Sequence, residues 1–244
     1  MRRSLPFVII GAVLLTFVIG GVLLFRAKTP TPVKIATGLP GAEPVHLRGG
    51  AQARVTIEEF GDFQCPPCGI LSTTLQKIEH DYGDRIRVIF REFPLDMHAF
   101  AFSAACSAAA AGLQGRFWEM HDLLFEHALY WSKESPPPKT PPTEEAMNRI
   151  RDIFTEYATR AGVDVERFKK DVVGEAVAAR IKTDQTRASS LGVDRTPVLF
   201  VDGVKIPFAQ FNVEDLHKII DDALKGKPPE PETPSPSPTQ APLP

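Results

Sequence analysis

Two cysteines, Cys65 and Cys68, are separated only by Pro66 and Pro67 and stand where a β-rich run gives way to a helix. Arg54–Phe60 (RVTIEEF) reads as a strand and Gly61-Asp62 as a turn. Cys68–Tyr82 reads as a helix, with Ile70, Leu71, Leu75 and Ile78 near helical spacing. Residues i and i+3 at a helix start bring two sulfurs close enough to bond. Proline is tolerated there because first-turn N–H groups lack helical partners anyway. The first sulfur lies at the positive end of the helix, which favours thiolate, the attacking species in disulfide exchange. Cys65 is expected to be the exposed nucleophile, and Cys68, one turn in, the buried resolving thiol. The third cysteine, Cys106, falls in an alanine-rich helix and is expected to be an inert, buried, small apolar residue.

The rest of the chain fixes where that junction sits. Gly83-Asp84 stops the helix, and Arg85–Phe93 (RIRVIFREF) alternates as a second strand, so the first unit is a right-handed βαβ crossover. Helical stretches follow at Ala99–Leu113, Arg116–Tyr130, Thr143–Arg160, Asp164–Val173 and Glu175–Ser190, interrupted by a proline loop at Ser132–Pro142. Pro197–Val201, Asp202-Gly203 and Val204–Ile206 form a hairpin signal, and Val213–Leu224 closes the chain's folded part as a helix. The expected fold is α/β, ordered βαβ then ββα, with a helical insertion over about 95–190. Residues 51–225 are enough for one domain with a proper core.

Leu5–Phe25 is a 21-residue run without charge. That length spans the roughly 30 Å of a bilayer's hydrocarbon core and exceeds the usual apolar stretch of a cleaved signal peptide. Residues 1–28 are read as a cytoplasmic stub and an uncleaved transmembrane signal anchor, and 29–50 as a flexible linker. Residues 226–244 are read as a disordered tail, because eight prolines crowd Pro228–Pro244. With 28 Lys+Arg against 30 Asp+Glu, the formal net charge is −2, which excludes a basic nucleic-acid binder.

Other uses of a CxxC fit less well. A structural zinc site takes four ligands, but the sequence has no second CxxC, and Cys106 and the histidines fall in predicted helices without ligand spacing. No metal or cofactor is therefore expected. A purely structural disulfide would close too small a loop to stabilise much. His98, His121 and His127 read as helix-packing or surface residues.

The motifs Gly61-Asp62-Phe63-Gln64-Cys65-Pro66-Pro67-Cys68, Phe93-Pro94-Leu95…His98, Gln114-Gly115-Arg116-Phe117-Trp118-Glu119-Met120-His121-Asp122 and Gly192-Val193…Thr196-Pro197 resemble the bacterial DsbA-like thiol:disulfide oxidoreductases of the thioredoxin superfamily. The likeness covers about residues 50–225. It departs at Ala99, where members often carry proline after the histidine. The resemblance implies a thioredoxin fold with an inserted helical domain and an extracytoplasmic location. It assigns Pro197 as a cis-proline facing a redox-active Cys65–Cys68 disulfide, with the Thr196 backbone turned toward an extended substrate segment. Glu59 stands six residues before Cys65, where thioredoxin-like proteins place a buried acid, and alternation sets Val55, Ile57 and Glu59 on one face. A buried Glu59 would have a raised pKa and could exchange a proton with Cys68.

The expected activity is disulfide exchange with exported proteins, by a domain held on the extracytoplasmic (periplasmic or outer) face of the cell membrane by a single-pass anchor, with a membrane partner restoring the CxxC. Compartment favours an oxidant. However, two prolines remove amide donors near Cys65 and no histidine lies between the cysteines. Oxidising power is thus expected to fall below that of Cys-Pro-His-Cys relatives, without a Cys65 pKa of about 3.5. The alternatives are a reductase or isomerase, for example in cytochrome maturation, and a non-catalytic binding module or chaperone.

Overall fold

The structure, a computed structural model, describes residues 46–50, 52–137 and 140–229. The strands are β1 (Leu47–Gly49), β2 (Val55–Gly61), β3 (Ile86–Glu92), β4 (Val198–Val201) and β5 (Val204–Ile206). They form one five-stranded sheet in the order β1-β3-β2-β4-β5. β2 and β3 run parallel, while the other pairs are antiparallel. The helices are α1 (Pro66–Tyr82), α2 (Ala101–Gly112), α3 (Phe117–Glu126), α4 (Ala128–Trp131), α5 (Glu144–Ala161), α6 (Val165–Asp171), α7 (Glu175–Ser190) and α8 (Val213–Leu224). This is the thioredoxin-like βαβ and ββα order, with α2–α7 inserted between its halves.

Strand β2 is buried on both sides, and the alternation of its side chains decides what each side holds. Val55 and Ile57 pack with Leu71, Leu75 and Ile78 of α1 and with Leu216 and Ile220 of α8. Phe60 points the other way, against Ala188 of α7, Val193, Val198 and Phe200. Beside it, Glu58 is buried among charges: Arg91 Nε donates to its Oε1 at 2.8 Å, and Arg187 Nη2 approaches its Oε2 at 3.4 Å. Arg91 Nη1 also meets Asp184 at 3.0 Å. Sheet and α7 are thus joined by ion pairs sealed from water.

Some sequence expectations change here. Residues 29–50 were assigned as linker, but Leu47–Gly49 is an edge strand paired with β3. Residues 1–45, including the predicted anchor, and the tail from Glu230 onward lie outside the described residues. Among the described residues, no helix is long and apolar enough to cross a membrane. Ile70 does not face the core: it is 70% exposed. Adjacent helical positions point about 100° apart, and the buried seam runs through Cys68, Leu71, Leu75 and Ile78 instead. The stretch expected as one helix over Arg116–Tyr130 is interrupted at His127, which lies between α3 and α4 with φ −105° and ψ 14°.

Candidate active site

Strand β2 delivers the chain to the site, and Asp62 fixes the turn that follows. Asp62 is buried, and its Oδ1 accepts from Gln64 N at 2.7 Å. Its Oδ2 accepts from Leu95 N at 2.9 Å and meets His98 Nδ1 at 2.7 Å, while its carbonyl accepts from Cys65 N at 3.1 Å. Gln64 Oε1 then accepts from Phe100 N at 2.8 Å, and Gln64 Nε2 donates to Ser135 Oγ. The CxxC loop is therefore held to the start of the helical insertion by side chains on either side of Phe63.

Cys65 is the N-cap of α1, with Pro66 and Pro67 in the first turn and no side-chain cap. Both cysteines are free thiols, so the structure is that of the dithiol form. Cys65, expected to be exposed, is itself buried at 7% exposure, because α1 and the Thr196-Pro197 turn close over it, and Cys68 is fully buried as expected. Thr196–Pro197 is a cis peptide bond, and Cys65 Sγ lies 3.6 Å from the Thr196 carbonyl oxygen. Hydrogen bonding from the Cys68 thiol, chiefly, and from the Cys68 N–H brings the Cys65 pKa down to about 6, against the opposing effect of burial. Burial pushes Cys68 well above the ordinary thiol range, helped by its bond to Cys65 and by the nearby Glu59 charge. One sulfur is poised as thiolate and the other is held as thiol.

Glu59 is buried, and its Oε1 has no hydrogen-bond partner. Desolvation first, then Glu79 and Cys65, raise its pKa to about 8, with Arg48 opposing. Alternation had placed Glu59 on the face that α1 covers, and there it lies. His98 was expected to be a packing or surface residue. Instead it is bonded to Asp62, which raises its pKa, and it lies within electrostatic range of Cys65. The roles of Asp62 and His98 escaped the sequence reading, although both stood in the quoted motifs; an acid directly after a strand's last residue was the available signal. Cys106 is buried, and burial pushes its pKa up to about 12. Among the described residues, no group of His, Cys, Asp or Glu converges as metal ligands would.

A family profile described as Thioredoxin matches residues 42–222. The chain belongs to the thioredoxin family. Solved structures similar to this thioredoxin-family chain include a thioredoxin-like oxidoreductase from Silicibacter pomeroyi (24% identity, TM-score 0.58, 76% of this chain and 96% of that one). BdbD from Bacillus subtilis in its oxidised form has 24% identity and TM-score 0.56, covering 74% and 92%. Wolbachia pipientis alpha-DsbA1 has 19% identity and TM-score 0.59, covering 80% and 98%. At these identities the likeness is one of fold: a thioredoxin-like architecture shared with DsbA-like thiol:disulfide oxidoreductases. The chain is also similar to curated proteins named Na(+)/H(+) antiporter NhaA 1. It is 34% identical to that of Mycolicibacterium gilvum over 205 residues, which is 80% of this chain and 30% of the relative. It is 35% identical to that of Salinispora arenicola over 182 residues, which is 74% of this chain and 25% of the relative. The chain spans less than a third of the length of these antiporters.

Proposed function

We propose that this thioredoxin-family chain exchanges its Cys65–Cys68 disulfide with thiols of exported client proteins, as an oxidant, on the outer face of the cell membrane. The observation that carries the reading is the paired environment of the sulfurs. Cys65, 7% exposed, is lowered in pKa and set against the Thr196 carbonyl; Cys68 sits behind it as a fully buried thiol, with the buried Glu59 carboxyl near it. A client thiolate attacks Cys65, Cys68 leaves as thiolate and takes a proton from Glu59, and the client's second thiolate then closes its own disulfide. Two electrons pass to the chain, which a membrane partner removes by the reverse exchange. Thr196 offers the backbone carbonyl against which an extended client segment would align. Leu5–Phe25 would hold the domain at the membrane; likeness to a part of proteins named as antiporters supports a membrane setting for such a domain.

The test is trapping. Cys68→Ser is expected to accumulate mixed disulfides between Cys65 and client proteins, whereas a binding module would accumulate none. Direction follows from the reduction potential, about −120 mV for a strong oxidase and about −270 mV for a reductase. A Cys65 pKa of about 6 is above that of the strongest oxidants, so a reductase or isomerase is the second reading.

The potential also has an expected pH dependence. Reducing the disulfide takes up two protons below the Cys65 pKa and one above it. The slope should change from about 59 to about 30 mV per pH unit, each proton contributing about 30 mV in a two-electron couple. The break should fall near pH 6. By the same linkage, the lowered Cys65 pKa stabilises the folded dithiol form fully above pH 9 and no longer once pH has fallen through about 6. Equilibration with glutathione across pH 5–8 measures it, and a single slope throughout would contradict the thiolate assigned to Cys65.

A further inference from the structure

The CxxC loop carries an electrostatic conflict. Asp62 pins the loop, its Oδ1 accepting from Gln64 N at 2.7 Å and its carbonyl from Cys65 N at 3.1 Å. The same side chain is wholly buried, and its charge opposes the thiolate that Cys65 has to carry. A buried charge is kept where a partner offsets it. Pro66 and Pro67 supply none, having neither a cationic side chain nor an N–H. His98, on the loop between β3 and α2, does. Its Nδ1 lies 2.7 Å from Asp62 Oδ2, the oxygen that also accepts from Leu95 N at 2.9 Å. An ionised carboxylate only accepts, so Nδ1 carries the donated proton and a second proton is taken at Nε2. The bond to Asp62 therefore persists in both forms of the ring, and only the charge changes.

The ring is also placed to exchange that second proton with water. Its side chain is 18% exposed and lines an open groove with Gln64, Met97, Phe102 and Pro136. The bond to Asp62, chiefly, and the charges of Asp62 and Cys65 raise its pKa above the ordinary 6.5, against the opposing effect of burial. The titratable groups that face it are thus Asp62 from the turn after β2 and Cys65 from the start of α1. Asp96 on its own loop lines the same groove. Helix α7 brings Gln185 there, and the proline loop Ser135 and Thr140, all without charge. Glu92 at the end of β3 feels Asp62, but burial, chiefly, pushes its pKa well above the ordinary carboxylate range.

We propose that His98 is the counter-charge of the exchange site: as an imidazolium bonded to Asp62 and facing Cys65, it offsets the buried carboxylate, stabilises the Cys65 thiolate and so strengthens the chain as an oxidant. The proposal rests on the thiol-exchange reading. His98 acts through Asp62 and through space on Cys65, and is a positioning residue. When a client dithiol is oxidised, its two electrons break the Cys65–Cys68 bond. Of its two protons, one ends on Cys68 and the other is released to solvent or taken up by a neutral His98, and Cys65 is left as thiolate. The more that thiolate is stabilised, the further the exchange runs. The coupling is reciprocal. Only the dithiol form carries the thiolate, so His98 holds its second proton more tightly after reduction than before it.

The full 244-residue chain tests this. Without any substitution, NMR of the histidine rings should show His98 titrating at higher pH in the dithiol form than in the disulfide form. His98→Asn then removes the charge alone, since the amide nitrogen of asparagine takes the place of Nδ1 and keeps a donor for Asp62. At neutral pH it should shift the Cys65 thiol–thiolate equilibrium roughly tenfold toward thiol, the low end of what a nearby opposite charge does. Thiolate absorbance reads that shift. The equilibrium with glutathione should move by the same factor, making the variant less oxidising by about 30 mV. Both differences should fade as pH rises through the His98 value, because the neutral ring has no charge to lose, whereas a purely structural role would leave them alike at every pH. Identical titration of His98 in the two redox forms, or a variant whose thiolate and glutathione equilibria match the parent's, overturns the proposal. If Cys68→Ser still traps clients in that case, only the role of His98 fails; if nothing is trapped, the exchange reading itself falls.

Discussion

Replacing Glu58 with alanine is expected to cost about 3–5 kcal/mol of folding stability, the range seen when one member of a buried ion pair is removed. Glu58 is the carboxylate that both Arg91 and Arg187 face, at 2.8 Å and 3.4 Å, and both guanidinium side chains are wholly buried. Without it, Arg91 retains Asp184 at 3.0 Å, while Arg187 loses the only carboxylate bonded to it here among the described residues. Domains of this size hold about 5–15 kcal/mol in all, so the variant would stand near the edge of folding. The loss should be largely reversed when the arginines are removed as well, in Glu58→Leu with Arg91→Met and Arg187→Leu, because the dominant cost is an uncompensated buried charge and not a missing attraction. Urea denaturation of both variants measures this. A single variant within 1 kcal/mol of the parent would show that water or rearrangement reaches these guanidiniums.

That network also marks where the sequence stops being legible. A Glu in an alternating strand reads as a solvated position, and nothing near residue 58 in the chain announces counter-ions from residues 184 and 187. Only the packing of α7 on the sheet brings them there. Glu59, by contrast, could be read in advance, because its face is set by Val55 and Ile57 and its distance from Cys65 is fixed. The cysteine pair was legible from its spacing at a helix start, and the cis Thr196-Pro197 bond from the family resemblance, which assigns Pro197 that role. Strand β1 was not, since three residues ending in Gly49 carry no periodicity and become a strand only by pairing with β3. His98 shows the intermediate case. Its position was visible, but its bond to Asp62 depends on the turn after β3 folding back on the turn after β2.

Glu59→Gln is expected to make the protein more stable and slower at once. The folded-state pKa of Glu59 is raised from 4.5 to about 8, so the native carboxyl keeps its proton where the unfolded one has lost it. A group shifted upward supports the folded state fully below the unfolded pKa, and that support is lost as pH rises through the folded value. The parent chain therefore loses stability between pH 4.5 and 8, and the glutamine variant does not. At about 1.4 kcal/mol per pH unit, the carboxyl's burden reaches several kcal/mol at the top of that window. The buried amide of glutamine gives back about 1–3 kcal/mol for its own unmet hydrogen bonds. The net gain should be roughly 1–3 kcal/mol at pH 8, shrinking to nothing or reversing at pH 4. Exchange in which Cys68 gains or loses its proton should slow by about 10²–10³, within the range of a lost general acid–base. Denaturation and exchange rates measured at both pH values on the same samples decide the matter. Equal pH dependence of stability in parent and variant would remove the buried, protonated carboxyl from this account, and with it the reason for a fold to keep an acid beneath its reactive sulfurs.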